Sequence, residues 1–179
     1  EGDLDYVRAL AEEFGYAVAP TATREQAGER VSSTRIRAAL ADADFDSAER
    51  LLGRPFVMAG RVQHGQKLGR QLDAPTANIA LHRIRSPLHG VYAVNVSGGG
   101  LSDAPGVANV GVKPTFGESL EATLEVHVLK GAPDLYGERL TVRFRHKLRD
   151  EQKFPSLDAL KEGIATDKAN ARAWLADYG

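Results

Sequence analysis

The sequence predicts a mainly β protein in which a small antiparallel barrel or sandwich of about six strands lies between helical segments. Short apolar runs separated by Gly, Pro, Asp and Ser clusters recur at fairly regular spacing through the middle of the chain, which is typical of antiparallel β folds. Apolar residues recur at helical spacing at both ends. Gly53-Arg54-Pro55 separates the first helical part from the β runs, and Gly and Pro so close together favour a domain boundary.

The amino-terminal part, residues 1–54, is predicted to be rich in helix. Apolar residues recur at helical spacing from Leu4 to Phe14, and Gly15 is then expected to end the helix. The Ser/Thr cluster at 32–34 lies where the N-cap of a further helix belongs. Shorter elements are also expected here, namely a strand at 16–18 and helices at 36–40 and 45–52.

The β part follows, and its last run alternates most clearly. Leu140, Val142 and Phe144 occupy one face of that run, and polar or charged residues occupy the other. Gly98-Gly99-Gly100 is expected to form a hairpin tip. The predicted strands cover residues 56–63, 76–80, 90–96, 106–112, 122–129 and 139–146.

A final helix is predicted from Ser156, which is an expected N-cap. Apolar residues return to helical spacing from Leu157 to Leu175, so this helix should lay an apolar face across the barrel. We expect an interruption of the helix near Thr166.

Composition excludes several classes of protein. Lys and Arg number 23 against 24 Asp and Glu, so duplex nucleic acid is not expected as the main partner. The absence of Cys excludes disulfides and thiolate catalysis and favours a cytoplasmic protein. No apolar run reaches the roughly 18 residues that a membrane helix needs. Met58 is the only methionine, so we expect the chain to be processed or to be part of a longer protein.

The clearest functional signal is a basic, Gly-containing loop that runs into a strand. Thr76 and Asn78 are two residues apart on that strand and therefore face the same side. Their hydroxyl and amide oxygens are hard donors, and they suit a Mg²⁺–nucleotide site because Mg²⁺ takes only one or two protein oxygens. A Gly-bearing turn with solvated charges is the alternative. The loop residues expected to contact phosphates are Gly65, Lys67, Gly69 and Arg70.

The run Pro75-Thr76-Ala77-Asn78 resembles the Pro-Thr-Ala-Asn signature of riboflavin kinases, as found in the kinase module of bacterial bifunctional riboflavin kinase/FAD synthetases. The resemblance implies that Thr76 and Asn78 hold Mg²⁺ and that Pro75 contacts ATP. Where the family usually has Gly-Phe before the Pro, this chain has Asp73-Ala74. Asp73 is then expected to repel nucleotide, to add to metal binding, or to face solvent.

A carboxylate on a later strand is the candidate catalytic base. In the alternating run around it, Leu124 and Val126 should face the core, leaving Glu125 and His127 on the other face. A solvated strand Glu is the alternative. The resemblance implies that Glu125 is the general base with His127 as its neighbour, since the following Asp134-Leu-Tyr-Gly137 also matches the family. It implies further that Tyr136 contacts ATP.

Two further stretches resemble the flavin side of the family site. In the run 147–154, Arg149 can stack its guanidinium on an aromatic ring, and Phe154 can add apolar cover. The alternative for this run is a charged loop whose Phe packs on the last helix. In the run 109–116, the resemblance implies that Asn109 and Thr115 bind flavin.

The amino-terminal part resembles the end of the FMN adenylyltransferase module of the same bifunctional proteins. The resemblance implies a domain remnant at 1–54 and a complete kinase domain at 55–179, with further nucleotidyltransferase sequence ahead of this chain in the full-length protein. Because the family's His-x-Gly-His motif does not occur in this chain, FMN adenylylation is not expected. The remnant nucleotide motif, placed at a helix amino terminus that favours anions, comprises Ser32, Ser33, Thr34 and Arg37.

The resemblance thus implies a six-stranded Greek-key barrel that converts riboflavin and ATP to FMN and ADP with Mg²⁺. In this expectation Glu125 faces the triphosphate across the mouth of the barrel. Two rival hypotheses remain, namely a non-catalytic flavin-binding barrel and a β-barrel interaction domain that binds neither ligand.

Overall fold

The computed structural model describes residues 4–19, 22–26, 28–63, 76–81, 86–114, 120–131 and 133–178. The chain forms two compact units, Glu1–Val31 and Ser32–Gly179.

The first unit contains helix α1 (Leu4–Phe14) and a short antiparallel hairpin of β1 (Glu25–Gln26) and β2 (Glu29–Arg30). The prediction of α1 is confirmed, and Gly15 ends it in the left-handed conformation with φ of 71°. The predicted strand at 16–18 is wrong. The backbone N–H of Tyr16 instead donates to the carbonyl of Ala11, so this segment begins as the cap of α1.

The second unit begins with two short helices, α2 (Ser33–Ala41) and α3 (Phe45–Leu52). Ser32 is the N-cap of α2, and its hydroxyl accepts a hydrogen bond of 3.3 Å from the backbone N–H of Arg35. Asp44 is the N-cap of α3, and Gly53 ends that helix with φ of 69°. The predictions of both helices are confirmed.

Within the described residues, six antiparallel strands close into a barrel in the order β3-β4-β7-β6-β5-β8. The neighbours β8-β5-β6-β7 follow a Greek key, so the predicted fold class is confirmed. β6 is longer than predicted, because the segment after the Gly98–Gly100 tip pairs with β5 in spite of its Asp and Pro. The strands are β3 (Val57–Gln63), β4 (Ala77–Ile79), β5 (Gly90–Gly98), β6 (Leu101–Pro114), β7 (Leu120–Val128) and β8 (Arg139–Arg149).

The core fills the barrel and extends to α3. An aromatic cluster joins the two, because the ring of Phe144 on β8 lies 6.2 Å from Phe45 of α3 and 5.3 Å from Tyr92 of β5. Phe45 and Ala48 are buried in the same core as the strands. The compact unit thus includes α2 and α3, although the predicted domain junction lies between residues 54 and 55. That residues 1–54 and 55–179 come from two different domains stays a prediction.

The last helix, α4 (Leu157–Tyr178), packs outside the barrel against β5, β6 and β8. Ser156 accepts a hydrogen bond from the backbone N–H of Ala159, as expected of an N-cap. The predicted interruption near Thr166 is wrong. The Thr166 hydroxyl donates to the carbonyl of Glu162 at 2.9 Å, so its polar group is satisfied inside the continuous helix. Among the described helices, none combines the length and the apolar character needed to cross a membrane.

The N-cap of α3 gives a testable stability prediction. Hydrogen bonds from the side chain and backbone of Ser47 hold the pKa of Asp44 below its usual value. Because the folded pKa is the lower one, this stabilisation is present above about pH 4 and is lost as the pH falls through the folded pKa. Asp44→Ala is expected to lower the free energy of unfolding by about 1 kcal/mol at neutral pH.

Urea denaturation at pH 7 and again near pH 3 measures this cap. The difference between Asp44→Ala and the parent should shrink at the lower pH. Asp42→Ala, which removes an exposed carboxylate just before α3, is the matched control. An equal loss in both variants would contradict the capping role.

Candidate functional site

The candidate site is a cavity of about 300 Å³ between the outer face of the barrel and α4. Leu124 and Val126 of β7 are buried inside the barrel, so the intervening Glu125 projects outward toward this cavity. The expected position at the mouth of the barrel is therefore not the observed one. The cavity brings together five of the predicted site residues, namely Thr76, Asn109, Glu125, Arg149 and Phe154.

A row of polar side chains crosses three neighbouring strands. Asn78 of β4 lies directly opposite Glu125 of β7, and Glu125 lies directly opposite Asn109 of β6. Directly opposed residues of antiparallel strands present their side chains to the same face, with Cβ atoms about 4.5–5.5 Å apart. Thr76 shares that face because it is two residues from Asn78. The register thus places the predicted metal ligands, the predicted base and one predicted flavin residue, Asn109, on one face.

The donors in this row fit a small, hard cation. Thr76 offers a hydroxyl oxygen, Asn78 an amide oxygen, and Glu125 a carboxylate beside them. The described residues contain no group of three or more His, Asp or Glu side chains placed to hold a metal. A site that takes one or two protein oxygens and leaves the remaining positions to phosphate and water requires no such group. The row is therefore compatible with Mg²⁺ bound together with a nucleotide.

Arg149 forms one wall of the cavity and is held on several sides. Its Nε and Nη2 donate to the two carboxylate oxygens of Asp167 on α4, each at 2.8 Å. Its Nη1 donates to the backbone carbonyl of Asp150 at 2.9 Å, and its guanidinium lies 5.4 Å from the centre of the Phe154 ring. The guanidinium thus lies over a ring of its own chain, and the predicted stacking on a flavin stays a prediction.

Asn109 keeps an acceptor for a ligand. Its amide nitrogen is 3.4 Å from a carboxylate oxygen of Glu151, while its side-chain carbonyl oxygen is buried and accepts no hydrogen bond in the described structure. An unsatisfied buried acceptor costs about 1–3 kcal/mol. A bound ligand with an O–H or N–H group would remove this cost, which supports the prediction that Asn109 contacts substrate.

The sequence interpretation missed Asp167. Its side chain is almost fully buried, with 6% of the residue exposed, and lies on the same face of α4 as Leu160, Ile164 and Ala171. A carboxylate at helical spacing within an apolar face was the available signal. Such a group needs a buried partner, and only the fold shows that the partner is Arg149.

Other predicted residues lie elsewhere. Tyr136 packs against the barrel core in the loop before β8, where Gly137 donates to the carbonyl of Val62 at the end of β3. Ser32, Ser33, Thr34 and Arg37 lie at the start of α2 and do not line the cavity. Their predicted nucleotide contacts stay predictions. Six predicted site residues lie outside the described residues, namely Gly65, Lys67, Gly69, Arg70, Pro75 and Thr115. Asp73-Ala74 also lies outside them.

Comparison with known proteins gives matches to most of the chain. The family model Flavokinase, described as riboflavin kinase, matches residues 52–175. The bifunctional riboflavin kinase/FMN adenylyltransferase of Pseudomonas fluorescens is 57% identical over 175 residues, which cover 98% of this chain and 56% of that protein. The chain therefore spans about half the length of the curated relatives it matches.

Two solved structures are also similar. One, titled a macrolide-efflux protein from Streptococcus pneumoniae, has a TM-score of 0.73 and 34% identity, and the match covers 93% of this chain and 55% of that one. The other is riboflavin kinase from Trypanosoma brucei, with a TM-score of 0.50 and 28% identity over 69% of this chain and 82% of that one.

Proposed function

Since this chain belongs to the riboflavin kinase family, we propose that it transfers the γ-phosphoryl group of ATP to the terminal ribityl hydroxyl of riboflavin, giving FMN and ADP. The supporting observation is the row of Asn78, Glu125 and Asn109 on three paired strands, of which Glu125 and Asn109 line the cavity. Family membership favours this reaction over a non-catalytic flavin-binding barrel.

In the proposed reaction Glu125 accepts the proton of the ribityl hydroxyl as the hydroxyl oxygen attacks the γ-phosphorus and ADP leaves. A base held on a strand that is paired on both sides needs little reorganisation, and general bases contribute about 10²–10⁴-fold to rate. Phosphoryl transfer depends mainly on positioning and charge neutralisation, so one well-placed carboxylate is a sufficient protein base.

The nucleotide side is proposed at Thr76 and Asn78, whose oxygens would hold Mg²⁺. When bound, the cation would neutralise charge on the phosphates. The loop from Gly65 to Arg70 is proposed to wrap the same phosphates and to limit water access; this part of the proposal rests on the sequence. A cytoplasmic location also stays a prediction.

The flavin side is proposed along β6 and the segment between β8 and α4. Asn109 lies beside Glu125, so its free carbonyl oxygen can accept a hydrogen bond from the ribityl chain near the reacting hydroxyl. Arg149 and Phe154 can cover the isoalloxazine ring, because a guanidinium and a phenyl group both pack well on planar aromatic surfaces.

One assay tests the proposed function. The purified chain is incubated with riboflavin, ATP and Mg²⁺, and the flavins are separated by chromatography while ADP is measured independently. FMN and ADP should form in equal amounts, and omission of ATP should abolish FMN. Quenching of riboflavin fluorescence without FMN formation would instead identify a flavin-binding barrel and overturn the proposal.

Activity of the amino-terminal part is a separate proposal. Residues 1–54 are proposed to be a remnant of an FMN adenylyltransferase domain, in keeping with the bifunctional names of the relatives. Because the His-x-Gly-His motif is not found in this sequence, incubation of the chain with FMN and ATP is expected to give no FAD.

Asn78→Ala tests the nucleotide side. The variant loses the amide oxygen beside Glu125. The alanine that replaces Asn78 is small, and a short strand tolerates it. We expect the KM for Mg–ATP to rise about tenfold or more with a much smaller change in riboflavin affinity, because a metal-ligand contact is lost. Calorimetric titration with each ligand checks this. Gln63→Ala, at the β3 position opposite Asn78, is the control, and a larger loss of riboflavin than of nucleotide affinity would contradict the metal role.

A further inference from the structure

Asp167 holds Arg149 in one orientation against the cavity. The carboxylate of Asp167 is almost fully buried and uses both oxygens on the guanidinium, at 2.8 Å each. Bidentate, charge-assisted pairs of this kind fix orientation as well as position. Because Asp167 belongs to α4 and Arg149 ends β8, the helix determines where this wall of the cavity stands.

Gly163 lies one turn before Asp167 on α4 and makes room for the Phe154 ring. A Cβ atom at position 163 would lie 2.5 Å from both Cε1 and Cζ of Phe154, which is far inside van der Waals contact. A glycine in a helix interior costs about 0.5–1 kcal/mol relative to alanine, so the helix itself gives no reason for it. The close approach of the ring does.

The pair of Asp167 with Arg149 and the contact of Gly163 with Phe154 are linked to each other. The Phe154 ring that lies against Gly163 is the ring that lies 5.4 Å from the Arg149 guanidinium. Residues 163 and 167 are four apart and therefore lie on one face of α4, the face that also supplies Leu160 and Ile164 to the cavity.

We infer that Gly163 and Asp167 are positioning residues that set the affinity for riboflavin by holding Phe154 and Arg149 in place at the wall of the cavity, where they can cover its isoalloxazine ring. The inference rests on the proposed function. Neither residue needs to touch the substrate, since each acts through the side chain it holds. Thr76 and Asn78 belong to β4 and the residue before it, which is not among the strands that α4 mainly packs against, so Gly163 and Asp167 should affect nucleotide affinity much less than riboflavin affinity.

Gly163→Ala separates this role from an effect of helix propensity alone, because the two predict different results. If only helix propensity matters, alanine should raise the Tm and leave both substrate affinities unchanged. If Gly163 positions Phe154, the added methyl group should displace the ring and raise the KM for riboflavin about tenfold or more, with the KM for ATP unchanged. Thr166→Ala, an exposed change that also raises helix propensity, is the matched control.

Asp167→Asn provides the second measurement. The amide cannot accept both guanidinium hydrogen bonds as a carboxylate does, so the KM for riboflavin should rise while the KM for ATP does not. Glu49→Gln, which breaks the exposed 3.6 Å pair with Arg143, is the control for loss of a salt bridge. Circular dichroism checks folding, and if Asp167→Asn does not fold, Gly163→Ala decides.

The outcomes distinguish the inference from the proposed function. An active parent chain whose riboflavin KM is unchanged in Gly163→Ala, or is raised equally with the KM for ATP, overturns the inference alone. A folded parent chain that makes no FMN overturns the proposed function. A selective rise in the riboflavin KM in Gly163→Ala, absent from both controls, supports the positioning role.

Discussion

Glu125→Gln is expected to lower kcat for FMN formation by about 10²-fold or more while leaving riboflavin affinity nearly unchanged. Glutamine keeps the size and hydrogen-bonding reach of the side chain between Asn78 and Asn109, but it cannot accept the proton of the ribityl hydroxyl. Chromatographic measurement of FMN at saturating substrates gives kcat, and titration of riboflavin fluorescence gives the affinity.

Glu121→Gln is the matched control for this prediction. Glu121 lies on the same strand and faces the same side as Glu125, but it is exposed and does not line the cavity. Its replacement should leave kcat close to that of the parent, because Glu121 is exposed and lies outside the cavity. Near-normal turnover in Glu125→Gln would remove the assignment of the base and leave the positioning of the phosphates as the main source of catalysis.

Phe144→Ala is expected to lower the free energy of unfolding by about 3–5 kcal/mol. The ring is only 2% exposed and contacts Phe45 of α3, Tyr92 of β5 and Phe56 just before β3. Removing it leaves a cavity where α3 meets the barrel, and the three remaining rings cannot fill it without movement of the backbone segments that carry them. Urea denaturation followed by circular dichroism measures the change.

Phe144→Leu keeps most of the volume and should cost less than the alanine variant, by the rule that volume-conserving changes in a core are tolerated best. A loss below about 1 kcal/mol in Phe144→Ala would show that the cluster is not packed as a unit. It would also favour the predicted junction after Arg54, because α3 would then behave as a part separate from the barrel.

The elements and the site residues were predicted from the sequence by different routes. Helices α1 and α3 and the alternation of β8 followed directly from local periodicity and caps. The motif residues Thr76, Asn78 and Glu125 were also available from the sequence, through a family resemblance that the comparisons confirm at the level of the family. The errors at 16–18 and near Thr166 arose where a hydrogen bond to a nearby carbonyl, in the helix or at its end, changed the local preference.

The order of side chains along each strand and the face that each occupies are properties of the chain itself, because the period of two is local. The sequence therefore determined on its own that Thr76 and Asn78 share a face. It also determined that Glu125 lies on the face of its strand away from the core-facing Leu124 and Val126. It could not determine which residue of one strand lies opposite which residue of another.

Only the tertiary structure decided the register of Asn78, Glu125 and Asn109, the inclusion of α3 in the core, and the pairing of Arg149 with Asp167 across 18 residues. Each of these depends on contacts between segments distant in sequence. Their formation is governed by closure of the barrel and by the docking of α4 on its outer face, for which no local pattern in the chain is sufficient.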